Sequence, residues 1–305
     1  MLRGLRGSHM LLMVEKQHTE RWIFLEKVLF VDSQGVIITK STLQKALYTT
    51  NAGEAEILFI HSELSFGRPN TDLRRNEILQ EIFFAVLDLG VKTICVPTFT
   101  FSFPNSLDYD VKKSKSKMGA FNEFFRKQPD VIRSRDPMMS VALWGEKKYL
   151  VENIGRESIG KGCTFDLLHK EKKVKFLFLG VEPSKCFTYT HYIEHELSVP
   201  YRYDRIFRGR IIDINGNAWE DEYKLYVRYE GVEPSSSDDF EKAMLYAGVA
   251  KKVLCGDNAI YAVDEALAYE LLCEKIRNNP LYMLAHDYPS VLSDRFVLNT
   301  EMVAL

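Results

Sequence analysis

The stretch ILFIHSELSFGRPNTDLRRNEILQEIFFAVLDLGVKTICVPTFT, from Ile57 to Thr100, decides the fold. Ile57 to His61 is a short apolar run that reads as a buried strand, and a loop follows it. From Thr71 the residues Leu73, Ile78, Leu79, Ile82, Phe83, Val86 and Leu87 fall near one helical stripe. Thr71 or Asn70 is placed to cap its start and Gly90 its end. TICVPTFT then reads as a second buried strand stopped by Pro97. Strand, helix and strand make a β-α-β unit with a parallel pair, because parallel strands need a long crossover. The loops after His61 and after Pro97 therefore lie side by side at the carboxyl ends of neighbouring strands, where α/β sheets bind ligands.

Outward from this unit, Met139 to Trp144 and Phe176 to Val181 read as further strands. Val263 to Arg277 reads as an amphipathic helix ending before Asn279-Pro280. The lysine-rich segment Tyr109 to Met118 has the composition of a solvated mobile loop. Between Tyr203 and Glu230, polar and apolar residues alternate around Asn215-Gly216, the signature of a hairpin. The predicted fold is α/β: a mixed central sheet with a parallel β-α-β core flanked by helices, plus an appended antiparallel hairpin. MLRGLRGSHM, Met1 to Met10, ends in Gly-Ser-His-Met, so Met1 to His9 reads as an expression-tag scar, which leaves residues 10–305 as a single domain.

Composition narrows the function. A chain of 305 residues with 46% apolar content can bury a large core without metal or disulfide staples. Its 40 basic and 42 acidic residues give a net charge of −2, so no global field attracts nucleic acid or an anionic membrane. No apolar run reaches the roughly 18 residues of a membrane span. The five cysteines, Cys95, Cys163, Cys186, Cys255 and Cys273, form no C-x-x-C pair, and their odd number fits free thiols in a reducing, cytoplasmic compartment. A homodimer is compatible with this composition.

TYTHYIEHELSVPYR, Thr188 to Arg202, holds the candidate chemistry. His191 and His195 stand four apart with Glu194 between them. Zinc proteases place the glutamate directly after the first histidine, so the order here is wrong for that motif, and no neighbouring cluster offers a further metal ligand. No metal is expected. Cys186 as a nucleophile paired with His191 is a weaker reading, since a lone cysteine in an apolar run is usually buried and inert. A pair of surface histidines without chemistry is the bland alternative.

ILFIHSELSFG (Ile57 to Gly67), VPTFTFSF (Val96 to Phe103), FNEFFRKQPDVIRSRDPMMSVALWG (Phe121 to Gly145) and FTYTHYIEHELSVPYR (Phe187 to Arg202) stand in this order along the chain. GDNAIYAVDEALAYELLCEKIRNNPLYML follows them from Gly256. Together they resemble the aminoglycoside 3-N-acetyltransferase family, also called the antibiotic N-acetyltransferases. The resemblance implies a catalytic histidine at His191 and its acidic partner at Glu194, and gives His195 no catalytic counterpart. It also implies a coenzyme A channel lined by His61, Ser62, Leu64, Ser65 and Gly67, and by Arg133, Ser134 and Ser140. Asp136 stands where that pattern usually has histidine. For Arg133 the alternative is a surface ion pair with Asp130 or Asp136.

The chemistry of acetyl transfer agrees with this assignment. An amine must lose a proton to attack a thioester, and histidine, with a pKa near 6.5, suits that task when a carboxylate on the same helical face orients it. The tetrahedral oxyanion then needs fixed donors, for which Thr98, or the backbone from Pro97 to Thr100, is the candidate. The expected co-substrate is acetyl-CoA, its arm passing the Ser62 to Gly67 turn, whose backbone N–H groups are available to it, and the loop from Pro97 to Thr100. Lys112, Lys113, Lys115 and Lys117 disfavour a polycationic acceptor. The expected acceptor is therefore an amino sugar of glycan assembly, with a nucleotide link compatible, and an aminoglycoside is the alternative. A protein that binds coenzyme A or a sugar without catalysis would have no need of a base and its carboxylate.

Overall fold

The computed structural model describes residues 26–288 and 292–295, and the backbone of Leu11–Leu12 and Ile23–Phe24. The stretch read as a tag scar lies outside the described residues. Strand β1 (Ile57–Ser62), helix α1 (Arg75–Leu87) and strand β2 (Thr93–Pro97) form the expected unit, with Ile57 beside Thr93 and Phe59 beside Cys95 in a parallel register. The sheet continues with β3 (Ile132–Arg133), β4 (Val141–Gly145) and β5 (Val174–Leu179). After helix α2 (Tyr189–Glu196) come the long strands β6 (Arg202–Ile212) and β7 (Ala218–Arg228). Strands β8 (Ala250–Cys255) and β9 (Asn258–Asp264) and helix α3 (Glu265–Asn278) follow.

Seven strands hydrogen-bond in the order β8-β9-β5-β1-β2-β4-β3. The central three, β5, β1 and β2, are parallel, and the flanking strands run antiparallel. Alternation along these strands divides the core. Phe59, Cys95, Phe176 and Phe178 face one side with α2 and α3, while Leu58, Ile60, Ile94 and Val96 face the other with Ile78, Ile82 and Val86 of α1. Apolar layers on both faces explain the continuous hydrophobic runs.

Element ends move for local reasons. Helix α1 starts at Arg75, not at Thr71, because Asn70 is spent elsewhere: its side chain donates to the Val28 carbonyl (3.0 Å) and accepts the Asp72 amide (3.0 Å). The Glu77 carboxylate accepts the Arg74 amide (2.9 Å) at the true start, and Leu73 lies outside the helix. Met139 belongs to a turn, since buried Asp136 accepts the amides of Met138 (2.8 Å) and Met139 (2.9 Å). Val263 belongs to β9, and Asp264, the last residue of that strand, caps α3 by accepting the Leu267 amide (3.2 Å). The β8–β9 hairpin was not anticipated from the sequence.

The lysine-rich segment is anchored at its start and its middle. Tyr109 is fully buried, pairs with Ile211 of β6 and donates its hydroxyl to the Ser134 carbonyl (2.8 Å). The hairpin thus belongs to a separate three-stranded sheet with Tyr109–Asp110. Among the described residues, no helix is long and apolar enough to cross a membrane.

Candidate active site

Helix α2 carries His191 and Glu194 one turn apart, so both side chains share a face. His191 Nδ1 lies 2.9 Å from Glu194 Oε2. The chain then reverses at Ser198, which adopts φ +50, while the Val199 amide bonds the Glu194 carbonyl at 3.2 Å. This return brings two further groups to the same carboxylate. The Tyr201 hydroxyl donates to Oε1 (2.8 Å) and Arg202 Nη2 stands 2.9 Å from Oε2. Arg202 Nη2 is also 2.9 Å from His191 Nδ1, and its Nη1 donates to the Tyr226 carbonyl at 3.2 Å. Glu194 is 2% exposed, whereas a quarter of the His191 side chain reaches the surface.

Charge states follow from this packing. Burial would raise the Glu194 carboxyl, but Arg202, His191 and Tyr201 outweigh it and hold it down at about 2. Burial, joined by Arg202, pushes His191 down to about 4 against the pull of Glu194. The pair rests as carboxylate and neutral imidazole at physiological pH. With Nδ1–H donating to the Glu194 carboxylate, the neutral ring presents a basic Nε2.

His195 takes no part in this network. Its ring stands edge-on to Tyr226 at 5.0 Å, and a Cβ added at Gly160 would come within 3.0 Å of its Nε2, so it fills space. Cys186 makes a long contact with the Glu182 carbonyl (3.8 Å), and burial pushes its thiol up, away from the thiolate. Among the described residues no three His, Cys, Asp or Glu side chains form a group suited to a metal.

The predicted channel residues divide into two sets. His61 is the penultimate residue of β1, 4% exposed and stacked on Phe178 (5.1 Å, 10° between planes). Its Nε2 is buried with no partner among the described residues, and burial lowers its pKa to about 3. Ser62 donates to Asn122 Oδ1 (2.8 Å), and Asn122 donates to the Pro97 carbonyl (2.8 Å), which ties the two strand ends together. Leu64 adopts φ +65 in the loop that follows, Ser65 is exposed, and Gly67 packs so close to the strand Val28–Val31 that a Cβ would meet the Val31 carbonyl at 2.5 Å. The N–H groups expected to be available here are occupied: those of Glu63 and Leu64 bond the Leu179 carbonyl, Ser65 bonds Gly180 and Phe66 bonds Leu64.

The other set is a buried brace. Arg133 donates to Thr98 Oγ1 (3.0 Å), to the Thr98 carbonyl (2.6 Å) and to the carbonyls of Val111 (3.2 Å) and Ser114 (2.6 Å). It does not form the surface ion pair with Asp130 or Asp136 weighed above. Ser140 donates to the Thr98 carbonyl (2.7 Å), Ser134 Oγ accepts the Val141 amide (2.9 Å), and Thr100 donates to the Pro137 carbonyl (2.8 Å). Thr98 is fully buried, and its hydroxyl proton is committed to Ser140.

Sequence reasoning missed Tyr201, Arg202 and Asn122. All three stand inside quoted motifs, but only the reversal after α2 and the packing of helix Ala120–Phe125 give them roles. An open hollow of about 540 Å³ adjoins Ser62 through Gly119, whose added Cβ would meet the Ser62 carbonyl at 3.2 Å. Arg75, Lys117 and Lys127 line it.

A family model described as aminoglycoside 3-N-acetyltransferase matches residues 93–276, more than half of the chain, including the His191–Glu194 pair. No curated protein matches by sequence. Among solved structures, aminoglycoside acetyltransferase AAC(3)-Xa superposes with a TM-score of 0.66 at 19% identity, covering 79% of this chain and 93% of its own. The YokD protein from Bacillus subtilis gives 0.63 at 19%, covering 79% and 94%. AAC-IIIb, solved as a binary complex with CoASH, gives 0.66 at 17%, covering 83% and 99%. At these identities the superpositions speak for the shared fold.

Proposed function

The chain belongs to the aminoglycoside 3-N-acetyltransferase family, and from that premise we propose that it acetylates an amine of an aminoglycoside, using acetyl-CoA, with His191 as general base. The observation that carries this reading is the buried His191–Glu194 pair at 2.9 Å, with Tyr201 and Arg202 completing the carboxylate's contacts. Coenzyme A fits the strand ends, where the orphaned Nε2 of His61 awaits a partner. Because the loop amides are occupied, its phosphates fall to side chains, and Arg75 and Lys117 beside the 540 Å³ hollow are the nearest basic wall. Acetyl-CoA supplies the thioester.

In this reading His191 Nε2 takes the proton of the acceptor amine as nitrogen attacks the thioester carbonyl carbon. The C–N bond forms, the C–S bond breaks, and the imidazolium returns its proton to the departing thiolate. Glu194 stays ionised and balances the imidazolium in between. Of the backbone from Pro97 to Thr100, Pro97 carries no N–H, and the amides of Thr98 and Thr100 bond the carbonyls of Ser140 (2.7 Å) and Met138 (3.1 Å). The Phe99 amide is then the donor left for the oxyanion, and Thr98, its hydroxyl spent on Ser140, only braces that wall.

The lysines do not argue against a polycation once placed. Arg126 holds the Lys112 carbonyl (2.8 Å), Glu123 holds the Ser116 amide (2.9 Å), and no contact among the described residues joins them to the dyad. A second reading, an amino sugar of glycan assembly, is favoured by one observation: Arg202 and Arg228 stand opposite each other at the hairpin base, beside the dyad, where two cations repel a polycation. A thiol-release assay with acetyl-CoA against aminoglycosides, free amino sugars and nucleotide-linked amino sugars decides. Faster release with aminoglycosides is expected. Preference for a nucleotide-linked sugar supports the second reading, and no release with any amine overturns both.

A further inference from the structure

Arg202 occupies an unusual place. Its Nη2 is 2.9 Å from Glu194 Oε2 and 2.9 Å from His191 Nδ1, so one guanidinium nitrogen and one ring nitrogen contact the same oxygen and each other. Only one arrangement of protons gives a base. If Nδ1–H donates to Glu194, the lone pair of the neutral ring lies on Nε2. If Arg202 instead donates to Nδ1, the ring's single proton moves to Nε2, which then accepts nothing.

We propose that Arg202 is the positioning residue that keeps His191 a neutral base with its lone pair on Nε2. Its charge holds Glu194 ionised and turns Oε2 towards Nδ1, so that Nδ1–H donates to the carboxylate and Nδ1 does not accept from the guanidinium. The same charge beside Nδ1 opposes a second proton on the ring. Arg202 is itself held: Nη1 is fixed on the Tyr226 carbonyl, the guanidinium lies 5.9 Å from the Tyr226 ring, and its side chain is 5% exposed. The other groups facing the pair are Tyr201 on Oε1 and Arg228 on the neighbouring strand. The lowered pKa of His191, with Arg202 among its causes, agrees with this geometry.

The inference rests on His191 being the base, and its test separates the two claims. Nitrogen-15 NMR of histidine-labelled protein reads tautomer and titration without any substrate. In the wild type, His191 should show a protonated Nδ1 and an unprotonated Nε2 at pH 7. In Arg202→Gln the titration should move up by about one unit or more, as loss of an adjacent cation does, and the acid limb of kcat/KM should move with it. Arg202→Lys should restore much of both. Unchanged titration and tautomer in a folded Arg202→Gln, verified by its thermal melt, overturn the role of Arg202. If Arg202→Gln does not fold, Arg202→Lys carries the test: a titration nearer wild type than free histidine supports the proposal, and one like free histidine overturns it. If the NMR shift appears while His191→Ala keeps full activity, the base assignment fails and the positioning role of Arg202 stands.

Discussion

Tyr189 and His191, two residues apart on α2, each belong to a cluster of one histidine, one glutamate and one tyrosine. Around His191 these are Glu194 and Tyr201. Tyr189 instead shares a Glu265 oxygen with His169, whose Nδ1 is 2.8 Å from it and whose ring lies 4.0 Å from that of Tyr269. Both glutamates are 2% exposed. The difference is a cation. Arg202 reaches Glu194, while among the described residues no lysine or arginine pairs with Glu265. Glu194 is accordingly pulled down to about 2, and the Glu265 carboxyl is raised by its burial. The same three kinds of side chain therefore meet opposite electrostatic environments, and a histidine–glutamate contact by itself does not make a base.

Exchanging residues between the clusters tests this lesson. The largest effect belongs to His191→Ala, which should lower kcat roughly a hundredfold or more with cofactor affinity nearly unchanged. His169→Ala should leave turnover within about twofold yet cost about 1–2 kcal/mol of stability, because a buried carboxyl loses a donor. Steady-state rates and urea melts of both variants check the pair, and equal losses of activity would break the comparison. Glu194→Gln should slow turnover about tenfold, whereas Glu265→Gln should leave it near wild type.

Acid stability gives a smaller effect. His191 and His61 stay neutral in the fold down to about 4 and about 3, while their unfolded counterparts take a proton near 6.5. The unfolded state thus binds more protons below pH 6.5, and stability should fall as pH drops from there towards 4. Glu194 adds to the loss between 4.5 and about 2. His61→Phe should flatten the slope of Tm against pH between 4 and 6.5, since phenylalanine keeps the stacking on Phe178 without a titrating ring. The smallest effect is that of His195→Ala, which should stay near wild-type rates because His195 packs edge-on to Tyr226 and touches Glu196 (3.4 Å), apart from the dyad.

Much of this was legible in the sequence. The apolar runs of β1 and β2 around the stripe of α1 give the parallel pair and its crossover, because burial on both faces leaves a signature in every residue. His191 and Glu194 were legible because helical spacing puts them on one face and the family resemblance separates His191 from His195. Tyr201 and Arg202 were not, since their roles arise from a left-handed turn at Ser198 that no local propensity announces. Arg133 reads as a polar surface residue until three carbonyls from two distant segments converge on it. The lysine-rich segment misled for the same reason: its charge is plain, and the burial of Tyr109 that anchors it is not.

The occupied amides from Glu63 to Phe66 have a consequence for kinetics. Bonded to Leu179, Gly180 and Leu64, the loop is an extension of the sheet before any ligand arrives. A cofactor meeting it has no segment to order and loses little chain entropy on docking. Association at the strand ends should then be a single concentration-dependent phase in stopped flow, without the lag that closure of a lid imposes.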